Sequence, residues 1–167
     1  MTADVDDKRE TSITTPSDTE IRIERTFDAP RELLWEAFTD PELLAEWLGP
    51  HSQRMTVEEL DVRVGGSYQY TSHSEDGGEY VFFGEFREVA EPELLEATFA
   101  WKDSGYPPSI DHSEFQDLGG GRTKLVTTST FESQELRDGM LKSGMEGGVK
   151  DGYDKLDGLL ARRGGKS

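Results

Sequence analysis

Cysteine is absent from this chain, which excludes disulfides, thiol nucleophiles and Cys-ligated zinc. Apolar runs of the roughly 18 residues that a membrane-spanning helix needs are missing, and no charged-then-apolar leader opens the sequence. A cytoplasmic protein is the expectation. Basic residues are scarce: 18 Lys and Arg stand against 35 Asp and Glu, a net charge of −17. Such a surface repels phosphate backbones and anionic lipid, so neither nucleic acid nor membrane is expected as a partner. Two origins of the acidity stay open, an ordinary acidic protein and an adaptation to high salt, where screening removes repulsion over a few ångströms.

Recognisable catalytic patterns are lacking too. His51, His73 and His112 lie on separate segments without HxxxH or HExxH spacing, so no metal site is expected. Asp111 and His112 are neighbours on a candidate strand and point to opposite faces, which argues against their cooperation. No nucleophile elbow, P-loop or dinucleotide fingerprint occurs, so no catalytic residue and no cofactor are assigned.

At 167 residues the chain fits one domain, which buries roughly 70% of its unfolded surface, enough for a core with a cavity in it. Residues 1–19 lack periodicity and offer only Val5 and Ile13 as larger apolar groups, so a disordered acidic tail is expected there. Residues 163–167 are expected to fray, leaving one domain over 20–162. No internal repeat is present.

Two short helices are predicted after a first strand. Asp28 and Pro30 mark one helix start, and Asp40 and Pro41 repeat the signal. Leu33, Leu34, Ala37 and Phe38 fall on one helical face, and Gly49-Pro50 stops the second helix. Further on the apolar period shifts toward two, with turn residues between the runs. Strands are predicted over 20–27, 53–62, 66–74, 79–89, 94–102, 109–117 and 122–131, an antiparallel arrangement. Asp61 and Arg63 share a face and predict an ion pair beside Gly65-Gly66. The carboxylates Glu85, Glu88, Glu91, Glu93 and Glu96 read as a solvated outer face. A final helix is predicted over about 133–162, with a stripe of Leu141, Met145, Val149, Tyr153, Leu156 and Leu160. Glycines interrupt its first half, each costing about 1 kcal/mol relative to Ala, so that half is expected to be loose.

The run from Arg25 to Trp47 reads R-x-F-x-A-P, then W-x-A-x-T-D-P, then W, and it resembles the START-like helix-grip superfamily, in the branch similar to the activator-of-Hsp90-ATPase domain. Asp61 to Gly66, Gly84 to Val89 with Pro92 and Leu94-Leu95, and Gly144 to Gly148 continue the likeness. The resemblance implies an α+β helix-grip fold: a curved antiparallel sheet of six to seven strands wrapped around a long C-terminal helix, enclosing a pocket. It brings a fold and a pocket, not a reaction. Where the family usually has Trp after the second glycine of the last block, this chain has Val149, which suggests a roomier pocket.

The segments placed around that pocket supply its candidate ligand-binding residues: Trp35, Phe38, Trp47, Met55, Tyr68, Tyr70, Phe82, Phe99, Trp101, Phe115, Met145, Val149 and Tyr153. For each of them plain core packing is the competing reading. Ser113 and Asp111 share the Phe115 parity, and Thr127 and Ser129 share that of Leu125. Pointing inward, they would give the pocket hydroxyls and one carboxylate; pointing outward, they would be a solvated strand face. The expected function is binding of a small, largely apolar, aromatic or polycyclic molecule by a monomer. A pocket-confined enzyme of aromatase/cyclase type and an Hsp90 co-chaperone-like activator are the alternatives, and fold does not decide among them.

The charge balance itself is testable. If the acidity is an adaptation to high salt, repulsion among some 35 carboxylates is screened by salt and the thermal midpoint followed by calorimetry is expected to rise by many degrees between low and molar NaCl. A flat response would remove the high-salt reading.

Overall fold

A computed structural model describes residues 11–164. The order of elements is β1 (Ser12–Ser17), β2 (Glu20–Phe27), α1 (Arg31–Thr39), α2 (Pro41–Trp47), β3 (Gln53–Leu60), β4 (Ser67–Ser74), β5 (Glu79–Ala90), β6 (Leu94–Trp101), β7 (Ser109–Gly119), β8 (Arg122–Thr130), α3 (Gln134–Lys142) and α4 (Met145–Gly164). The strands form one antiparallel sheet in the order β1-β2-β8-β7-β6-β5-β4-β3. The sheet curls around α4, the α+β helix-grip arrangement.

Alternation sets which side chains meet α4. Ile21, Ile23, Arg25 and Phe27 of β2 share a face with Thr123, Leu125, Thr127 and Ser129 of β8, through pairings such as Ile21 with Ser129 and Ile23 with Thr127. Phe115, Ser113 and Asp111 of β7 join them opposite Leu125, Thr127 and Ser129. On the helix, Tyr153, Leu156, Leu159 and Leu160 are buried against this face. Each buried Leu contributes roughly 1.5–3 kcal/mol, so the C-terminal half of α4 is firmly seated. Phe27 meets Tyr153 edge to face at 5.5 Å. Arg25, 6% exposed, spans from sheet to helix: its Nη1 donates to Asp154 at 3.0 Å and its Nη2 to Asp157 at 3.3 Å.

The small helices lock the other side. Asp40 accepts from the backbone N–H of Glu42 and Leu43 and caps α2, with Pro41 in the first turn. Trp47 Nε1 donates to the Ala37 carbonyl at 2.9 Å, fixing α2 on α1. Asp28 does not cap α1, contrary to expectation. Pro30 is the residue flanking that helix, no side chain caps it, and Asp28 lies two residues too early.

Three further expectations are corrected. The sheet has eight strands rather than six or seven, because β1 forms from the segment read as a disordered tail. Its backbone pairs with β2, Ile13 opposite Ile23, and Pro16 falls on the sheet edge, where a missing N–H does no harm. Main-chain pairing, with Ile13 alone packing against the core, holds it, which a count of apolar residues does not register. Residues 1–10 of the expected tail lie outside the described residues. The final helix is two: Gly144, at φ +90°, breaks it between α3 and α4. Lastly, Arg163 and Gly164, expected to fray, extend α4, where Arg163 pairs with Glu36 at 3.2 Å; residues 165–167 lie outside the described residues.

No residue of α3 is buried. The N-terminal part of α4 is likewise exposed at Glu146, Gly147 and Lys150. A Cβ at Gly147 would meet no atom within 4 Å, whereas Gly144 holds a left-handed backbone. Gly147→Ala is therefore expected to stabilise by up to about 1 kcal/mol and Gly144→Ala to destabilise by a similar amount in urea unfolding. Amide exchange is expected to be faster over 136–150 than over 153–160; uniform protection would show that the helix is held along its whole length.

Candidate functional site

Between the sheet and the looser half of the helical cover lies a cavity of about 380 Å³. Every strand of the sheet except β1 contributes to its wall, together with α1, α2, the Leu48–Pro50 turn, α3 and α4. Aromatic rings make about half of the apolar lining. Phe82 stacks on Phe99 at 5.3 Å and tilts against Tyr70 at 5.6 Å. Phe38 and Trp47 meet at 4.8 Å, and Trp47 reaches Tyr153 at 6.2 Å.

Of the sequence candidates, Phe38, Trp47, Met55, Tyr70, Phe82, Phe99, Ser113, Thr127, Met145, Val149 and Tyr153 are brought together around this cavity. Four are not. Trp35 and Phe115 are core residues, 5% and 1% exposed, spent on each other in an edge-to-face contact at 5.3 Å. Tyr68 leans away from the cavity across Gly84, and its hydroxyl donates to the Thr98 carbonyl at 2.6 Å. A Cβ at Gly84 would come within 1.9 Å of that carbonyl oxygen, so the glycine makes room for the crossing. Trp101 ends β6 beyond the rim of the cover and is 43% exposed. The lining also includes Ile21, Ile23, Gln53, Ser72, Ser109, Phe131 and Met140, which the list of candidates missed. Strand parity held a signal for several: Ser72 follows Tyr70 by two, and Ser109 precedes Asp111 by two.

The polar strip on β7 and β8 points inward. Ser129 Oγ donates to Asp111 at 2.7 Å, and the Ser113 and Thr127 hydroxyls share a hydrogen bond at 2.9 Å. Across the cavity Ser72 Oγ donates to the Gln53 side-chain carbonyl. Asp111 retains some accessible surface, but it opens on the cavity, and desolvation pushes its carboxyl up to about 6 against the help of Ser129. Burial, with the Asp111 charge adding to it, raises the Tyr70 phenol well above its ordinary range. Tyr153 is pushed up to about 12, first by burial, with a Thr127 hydrogen bond opposing. At neutral pH the cavity therefore holds neutral phenols and hydroxyls around one carboxylate.

Outside the cavity, the pairing of β6 with β7 sets His112 opposite Glu96. Its Nδ1 lies 2.8 Å from Glu96, and its Nε2 3.4 Å from Glu114. With Glu88 these groups place three potential ligand atoms within 4.8 Å of one another, a convergence that sequence spacing did not reveal. Glu96 also accepts from Arg87 at 3.0 Å, and the His112 and Arg87 contacts draw its carboxyl below the usual range despite partial burial. Arg87, Glu96, His112 and Glu114 are joined by these contacts into one polar network, with Glu88 beside it. Asp61 and Arg63 pair at 2.9 Å as expected. No helix among the described residues is long and apolar enough to cross a membrane.

A sheet curled around a C-terminal helix, with a lined cavity between them, defines the helix-grip class. Residues 28–161 match the family model described as "Activator of Hsp90 ATPase homolog 1-like protein", and the chain belongs to that family. Among solved structures it is similar to a Rhodobacter sphaeroides protein (26% identity, 92% of this chain and 99% of that one, TM-score 0.85). Similar too are protein Ms6760 of Mycobacterium smegmatis (27%, 90% and 97%, TM-score 0.82) and an Arthrobacter aurescens protein (27%, 90% and 91%, TM-score 0.82). A comparison with curated proteins finds no match.

The Asp111 environment has a consequence for stability. Its carboxyl titrates near 3.8 when unfolded and near 6 when folded, so the native state holds the proton more tightly. This group's contribution accordingly falls as pH rises from about 4 to 6 and is fully unfavourable above that window. Asp111→Asn is expected to raise stability at pH 7.5 by on the order of 2 kcal/mol, a few degrees of Tm, and to change it little at pH 4. Equal effects at both pH values in calorimetry would refute a desolvated carboxylate.

Proposed function

We propose that this protein is a cytoplasmic, monomeric binder of a small, largely apolar, aromatic or polycyclic molecule, held in the cavity between sheet and helix. The observation that carries the reading is the cavity itself, about 380 Å³ and lined by aromatic rings from both sides. A concave space of this size, partly open to solvent and lined by Trp, Tyr, Phe and Met, is suited to a ligand. Val149 contributes: it stands on the cavity wall with a smaller side chain than the Trp usual in the resembling family. The polar side chains of the lining, the β7–β8 strip together with Ser72 and Gln53, would orient the ligand rather than supply its affinity.

Asp111 favours a second reading, confined proton transfer of the aromatase/cyclase type. A carboxyl that titrates near 6 is close to the operating pH of a general acid or base. Turnover of an added polyketide-like substrate that disappears in Asp111→Asn would establish the enzyme; binding without turnover leaves the binder.

Titration with naphthalene-sized aromatic compounds, followed by NMR, is expected to shift Trp47, Tyr70 and the Met145 methyl together. Val149→Trp is expected to fill the cavity and weaken binding at least about tenfold while the protein stays folded. No coordinated shift with any apolar compound, or binding indifferent to Val149→Trp, would overturn the reading.

A further inference from the structure

Among the described residues the cavity wall has a single charged side chain. Asp111 sits there with Ser129 Oγ donating to it at 2.7 Å, and among the described residues no Lys, Arg or His pairs with it. Arg25, the cation on the same sheet face, is committed to Asp154 and Asp157. Tyr70 of β4 and Tyr153 of α4 bring their rings toward the carboxylate from two sides, and each feels its charge. The site thus combines one unpaired carboxylate with several aromatic faces.

We propose that the ligand of this cavity carries a cationic nitrogen, an aromatic amine in chemical class, with its ammonium on Asp111 and its rings against Tyr70, Phe82, Phe99 and Tyr153. The inference rests on the ligand-binding reading above and narrows it. A neutral apolar ligand that filled the cavity would strip the remaining water from an ionised carboxylate, at a large cost unless a proton is taken up. An anion would add like-charge repulsion. A cation supplies the missing counter-charge where the low dielectric makes the pairing strong, and aromatic faces attract it further. The net charge of −17 acts in the same direction, since the field of the whole protein raises the local concentration of cations.

The test compares 1-naphthylmethylamine with its near-isostere 1-naphthylmethanol by isothermal titration of the full chain, wild type and Asp111→Asn. The amine is expected to bind wild type at least about tenfold more tightly than the alcohol, and Asp111→Asn to abolish that preference, weakening the amine and leaving the alcohol bound at least as tightly as by wild type. The groups facing Asp111 are Tyr70 of β4, Tyr153 of α4 and the Ser129 hydroxyl of β8, and Tyr68 of β4 feels its charge from outside the cavity. The three phenols stay protonated below pH 8, so Asp111 alone titrates, and amine affinity is expected to fall about tenfold from pH 7.5 to pH 5. Equal affinity for amine and alcohol, or a preference that survives Asp111→Asn, would overturn the cationic ligand and leave the apolar cavity standing. Binding of neither compound, nor of any other apolar aromatic, would overturn both.

Discussion

An α-helix is about 10–12 Å across, while strands lie about 4.8 Å apart, so the concave face of an eight-stranded sheet is wider than any one helix can cover. This mismatch organises the molecule. The C-terminal half of α4 covers one region through Tyr153, Leu156, Leu159 and Leu160, and Arg25 ties it down through Asp154 and Asp157. The pair α1–α2 covers another, pinned by Trp35 on Phe115 and by Trp47 on the Ala37 carbonyl. What neither reaches, between Tyr70, Phe82, Phe99 and Asp111, is left to aromatic side chains and a cavity.

Because helix contact is concentrated at one end, rigidity is too. Gly144 frees α3 from the line of α4, and α3 buries no residue. Met140 of α3 and Met145 and Val149 of α4 nevertheless line the cavity. The wall most able to open is thus the one built from flexible or small side chains, whereas the rigid sheet presents the polar strip. A binding site divided this way can keep a fixed set of hydrogen-bonding groups while its lid adapts to a ligand's shape.

Much of this was legible in the sequence because strand parity is a strict rule. The seven strands from β2 to β8 begin and end within two residues of their predicted limits, and parity gave Asp111, Ser113, Thr127 and Ser129 a common face, though not which side it faced. Depth along a strand was less legible. Trp101 shares parity with Phe99 yet lies past the rim, and Phe115 lies where Trp35 fills the space instead of a ligand. Both outcomes depend on where the cover ends, a tertiary fact. β1 escaped because backbone pairing to an existing edge needs little apolar side chain, and the His112–Glu96 contact because it joins residues 16 apart across two strands.

The two scales of acidity act differently. Surface carboxylates are spread in water, where salt screens them within about a Debye length, and they shape solubility and the long-range field more than the fold. Asp111 is a single charge, but burial desolvates it, and Ser129 satisfies only part of its hydrogen-bonding capacity. Leaving a carboxylate in such a place costs stability, and a hydrophobic residue there would pack without that penalty. Packing alone therefore gives no reason for an acid at this position. A ligand that supplies the counter-charge gives one, because the charge that burdens the empty protein then becomes part of its affinity.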